Sequence, residues 1–167
     1  MSSLLEKLAV KLVPDTDNKE EVAELDERLL ATPTIALERC NTLVSEMAEF
    51  SVTSFKQGLN TLTQYDSVSA TQIREAEGKA DHYEDILDTY LVKLSGHQVS
   101  DNDSIEISKL LKAIGDFERI SDHSVNILES AEELRNKEIK FANSVNDTLR
   151  NICRINKKCP IPTGMGH

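Results

Sequence analysis

Apolar residues recur along this chain at steps of three and four, and that pattern predicts helices. The first long helix runs from Pro33 to about Leu62, with Ala36, Cys40, Leu43 and Met47 on one stripe. Val44, Ala48, Phe55 and Leu59 lie beside it, making an apolar surface wide enough for the inside of a bundle. Thr32 is a suitable N-cap, and Pro33 fits the first helical position. Tyr65-Asp-Ser-Val-Ser breaks the pattern, and a second helix begins near Ser69. Its core positions are Ile73, Ala76, Ala80, Tyr83, Leu87, Leu91 and Leu94, the alternating spacing of antiparallel bundles. Gly96 is a natural residue to follow its end.

After a short polar loop, Asp103 and Glu106 make a start like a capping box for a third helix. That segment holds no proline as far as Asn136 and places Leu110, Ile114, Phe117 and Leu128 on one stripe. Short connections make neighbouring helices antiparallel, so the fold class is an all-α antiparallel bundle. Phe141, Val145, Leu149 and Ile152 restart the spacing as a partial fourth helix, before a tail rich in proline and glycine. At the other end, residues 2–13 form an amphipathic stretch with Leu4, Leu5, Leu8 and Leu12 on one face. Packing on the chain's own bundle, or a frayed end, is the first reading of that face; lysines beside it also suit a lipid headgroup region. The division is therefore 1–28 (amphipathic helix and acidic linker), 29–139 (bundle) and 140–167 (partial helix and irregular tail).

Polar positions inside the pattern carry the candidate chemistry. Beside the main stripe of the third helix runs a second one: Leu111, Gly115, Glu118, Asp122, Val125. Glu118 and Asp122 are four residues apart, so their carboxylates leave one side of the helix about 6 Å apart along its axis. Glu77 and Asp81 repeat the spacing on the second helix. Both pairs lie roughly 15–20 residues from the turn between the helices, so an antiparallel pair sets them at one level. Four carboxylates at one place repel unless protons or cations neutralise them. Hard oxygen donors suit divalent or trivalent metal ions such as iron, manganese or magnesium, with zinc also accommodated. Gly78, between small Ala76 and Ala80, is expected to let another helix or an ion approach closely. Glu84 and Asp88 continue the acidic stripe and read as a solvated face. Arg119 has Asp116 and Asp122 within reach, while His123 points about 100° away from Asp122.

These residues resemble a known family. Glu118-Arg119-Ile120-Ser121-Asp122-His123, followed by Asn126-Ile127, is similar to the signature of PhoU-type phosphate-signalling proteins. Glu77–Asp81 matches the other half of that signature on the preceding helix. The resemblance implies a three-helix repeat whose two motifs bind a multinuclear metal cluster through Glu77, Asp81, Glu118 and Asp122. Ser121 stands where the family usually has glycine, so a small residue is kept. Leu25-Asp-Glu-Arg, Thr32-Pro33 and Ala36-Leu-Glu38 resemble the cytoplasmic tail of bacterial sodium/phosphate cotransporter-like proteins. That implies a metal-binding regulatory domain at the cytoplasmic face of the inner membrane, with a transporter membrane domain as partner. Two alternatives are a free-standing cytoplasmic accessory protein for phosphate uptake and a metal-free structural bundle.

Composition sharpens the picture. Aromatic residues are 4% and tryptophan is absent, which suits a helical bundle better than a sandwich or barrel. A net charge of −10 argues against nucleic acid as partner. Cys40, Cys153 and Cys159 are sparse and odd in number, which fits a reducing compartment and no zinc ribbon. No catalytic constellation presents itself, and the acid pairs lack the Glu-x-x-His spacing of di-iron carboxylate enzymes, so no enzyme is expected. A complete PhoU-like protein packs two repeats, so a single repeat with a wide apolar first helix is expected to form a homodimer or to dock on a transporter.

Overall fold

The computed structural model describes residues 25–139, together with helical positions at 145, 147–149 and 151. A 3-10 turn, Glu27–Ala31, leads into three long helices: α1 (Pro33–Thr61), α2 (Ser67–Ser95) and α3 (Asp101–Asn136). The connections 62–66 and 96–100 are short, so α1 and α3 run parallel while α2 runs against both. All three pack on one another, α1 against α3 most extensively, and no strand occurs among the described residues. The all-α bundle is therefore the fold.

Each helix starts where a side chain can satisfy its free N–H groups. The Asp66 carboxylate accepts from the Ser69 N–H at 2.8 Å, so α2 begins two residues before the expected Ser69. The start of α3 is a reciprocal box of Ser100 and Asp103, not the expected pair of Asp103 and Glu106. Thr32 precedes α1 as expected but makes no side-chain cap; its hydroxyl donates to the Leu29 carbonyl at 3.2 Å. Gly96 ends α2 at φ −78°, an ordinary right-handed value that asks nothing special of glycine.

The apolar stripes close into two separate clusters. The larger joins Cys40, Leu43 and Met47 of α1 to Leu87, Leu91 and Leu94 of α2 and Ile107, Leu110 and Ile114 of α3. The smaller, at the far end, holds Ala70, Ile73 and Leu128. Between them the interior narrows to small and hydroxyl-bearing residues: Ser51, Ser54, Ser121 and Ser124 are buried. A Cβ on Gly58 would stand 3.1 Å from the Ser124 carbonyl oxygen, so glycine is what lets α1 meet α3 there. Ties across the bundle hold both ends. Arg74 donates to both oxygens of Glu132 at 3.2 and 2.8 Å, and the Tyr65 hydroxyl adds a bond to the same carboxylate. At the other end the Tyr90 hydroxyl donates to the Asp26 carbonyl at 3.2 Å, and Lys93 pairs with Glu27 at 2.7 Å.

The expected core positions are buried with a few exceptions. Ala76 and Phe117 are half-buried, and so are Ala48, Phe55 and Leu59 on the second stripe of α1. Residues 2–13, the acidic linker before Leu25, and Phe141, Ile152, Cys153 and Cys159 lie outside the described residues.

Candidate functional site

Glu77 and Asp81 stand one turn apart on α2, and Glu118 and Asp122 one turn apart on α3. Antiparallel packing brings the pairs together, and the electrostatics record it. Burial pushes the Glu77 carboxyl above its ordinary range, and Asp81 on the same helix and Asp122 and Glu118 on the facing one push it further. The Glu118 carboxyl is raised by burial, then by Asp122 and Asp81, while Arg119 and His123 pull it down. Each glutamate therefore feels carboxylates of the opposite helix. The two glutamates are half-buried and the two aspartates exposed, so the glutamates form the inner edge of the face.

The acidic face is longer than the two motifs. Glu84 is half-buried, with its carboxyl raised by burial and then by Glu118 across the helix pair. Asp88 is raised by burial and by Asp85, and its Oδ1 is buried with no hydrogen-bond partner in the protein. Reading both as a plainly solvated stripe therefore underestimates them. The three-four spacing of Glu77, Asp81, Glu84 and Asp88 keeps all four on one side of α2, but how far each is covered depends on the facing helix.

Other expectations fare differently. Nothing lies within 4 Å of a Cβ built on Gly78 or Gly115, so neither glycine is where helices approach closely. That close approach occurs on the α1–α3 side instead, at Gly58. Arg119 pairs with Asp116 at 3.6 Å, both side chains more than half exposed at 67% and 52%. Such a surface pair stabilises little and leaves Asp122 to other partners. His123 is exposed, His82 half-buried and His97 exposed.

The donor set fits hard cations: carboxylate oxygens only, gathered against their own repulsion. Among the described residues no three Asp, Glu, His or Cys side chains stand close enough together, as placed, to hold a metal ion. An ion here would draw its ligands from Glu77, Asp81, Glu118 and Asp122, and it would supply positive charge to the acidic face.

No curated protein and no solved structure matches this chain. The PhoU domain matches residues 44–131, more than half of the sequence. The matched stretch runs from the middle of α1 through most of α3, and it contains both acid pairs and the narrow waist between the apolar clusters. The chain belongs to the PhoU domain family, a regulatory, non-enzymatic family concerned with phosphate transport.

Proposed function

We propose that this chain is the cytoplasmic, metal-binding regulatory domain of a sodium/phosphate cotransporter-like membrane protein. The observation that carries the metal reading is the meeting of Glu77–Asp81 with Glu118–Asp122, where partly buried glutamates are pushed above their ordinary range by burial first, then by the acid on their own helix and by acids on the facing one. A face that holds its own charges together in this way gains stability from any hard cation it binds. Iron, manganese, magnesium and zinc are the candidates.

The transporter reading rests on the segment around Leu25–Glu38 and on how that segment is held. Glu27 is tied to Lys93 and the Asp26 carbonyl to Tyr90, so chain entering at Leu25 is fastened to the end of α2 as well as leading into α1. A pull or twist on preceding membrane helices would reach the bundle through those two contacts. No helix among the described residues is long and apolar enough to cross a membrane.

Elemental analysis of protein purified without chelator tests the metal. Wild type should carry bound ions, and Asp81→Asn with Asp122→Asn should lose nearly all of them. Loss of a single outer partner already costs roughly 10–100-fold in metal affinity, and losing two ligand charges should cost more. Equal metal content in wild type and the double variant would sink the site.

A further inference from the structure

We propose that Ser54 and Ser121 hold a buried water molecule that bridges α1 to α3 behind the acidic face, with Ser51 at its lower edge. This goes beyond the metal reading and needs no ion to be bound. Ser51, Ser54 and Ser121 are 0%, 1% and 0% exposed, and none of their hydroxyls has a hydrogen-bond partner within the protein. A serine on a helix can always turn back to a carbonyl of its own preceding turn. Ser124 does so, donating to the Ile120 carbonyl at 2.9 Å, and Thr61 does so to the Gly58 carbonyl at 2.6 Å. The three unpartnered hydroxyls do not, although they belong to the same seam.

Their level follows from the helices. Gly58 meets Ser124 across the seam, and α1 and α3 run parallel. One turn back from that contact stand Ser54 on α1 and Ser121 on α3, and Ser51 lies about 4.5 Å further along α1. Alanine would allow the same close packing without burying a polar group, so close approach alone does not explain three serines. A polar niche between helices takes up water, which satisfies about three protein groups at once, whereas an apolar niche stays dry. Ser121 is the residue immediately before Asp122 and one turn after Glu118. A water fastened to it from α1 would fix the rotation of α3 that aims both acids at α2.

The test is a double-mutant cycle on the metal-free chain with Ser54→Ala and Ser121→Ala, read as melting temperature. Each single change should lower it by roughly 2–4 °C, and the pair should lower it by less than the sum, because one bridge is lost once. If each change instead raises the melting temperature, or if the two losses add, the hydroxyls are independent and the bridge is wrong. Water-to-amide cross-relaxation on the wild type gives a readout that needs no variant to fold. A long-lived water at the amides of residues 54 and 121 supports the bridge, and its absence overturns the bridge even if the serines prove coupled through a direct hydroxyl contact.

Discussion

Glu118 is the residue at which the acidic face can be relaxed with least disturbance, since glutamine keeps its shape and removes its charge. Its folded-state carboxyl is raised above the ordinary 4.5, by burial first and by Asp122 and Asp81 next. A folded protein that holds this proton more tightly than the unfolded chain is most stable below 4.5. It loses that advantage as pH rises through the folded value, and at neutral pH the full penalty is present. Without metal, Glu118→Gln should therefore melt higher than wild type at pH 7, and the gap should close as pH falls below 4.5. Asp26, Glu27, Glu132 and Glu133 are held below their ordinary values by basic partners and act in the opposite sense, but both proteins share them. With a cation bound the sign reverses, because the carboxylate then stabilises. Thermal melts across that pH range, with and without chelator, check both halves. At this scale the acid pairs were legible because a four-residue step on a helix fixes direction whatever surrounds it. The half-burial of Glu84 and Asp88 was not, because it depends on how the facing helix packs over them.

The helices themselves were legible from their stripes, which are long and regular enough to outweigh local ambiguity. Their starts were less so. Asp103 followed by Glu106 has the spacing of a capping box, yet the chain uses Ser100 with Asp103, three residues earlier, where the Ser100 hydroxyl accepts from the Asp103 N–H and the Asp103 carboxylate accepts from the Ser100 N–H. Replacing Ser100 by alanine should cost about 1 kcal/mol, which lowers the melting temperature by roughly 2–4 °C for a chain of this length. Glu106→Gln should change stability little, since that side chain is paired only at the surface with Lys109 at 3.2 Å. A larger loss from Glu106 than from Ser100 would reverse the assignment of the cap. The serines of the α1–α3 seam show the limit of stripe reading. Ser51 and Ser54 continue the core face of α1, but a polar residue in an apolar stripe announces an interruption, not a close helix contact.

At the scale of the whole molecule, two apolar clusters are joined by a waist of small residues, and the acidic face lies beside that waist. Bulk is scarce where charge is concentrated, so the middle of the bundle relies on close backbone approach more than on the volume of buried side chains. The second stripe of α1 is the face that three helices leave unfinished. Phe55 and Leu59 remain half-buried beside fully buried Ser54 and Gly58. A second copy of the bundle is the occupant this face is expected to take, giving a homodimer. Complete burial of a phenylalanine or leucine contributes about 1.5–3 kcal/mol relative to full exposure, so finishing two half-buried residues supplies a modest part of an association energy. The remainder must come from the rest of the surface, and the net charge of −10 opposes approach of two copies at low salt. Self-association should accordingly be concentration-dependent and stronger at high ionic strength, where that repulsion is screened. Phe55→Asp should abolish it while leaving the helical content unchanged, because a half-buried position tolerates a polar side chain better than a core one. Sedimentation at several protein and salt concentrations reads the outcome. A wild type that stays monomeric throughout, or a Phe55→Asp variant that associates as strongly as the parent, would remove α1 from the interface.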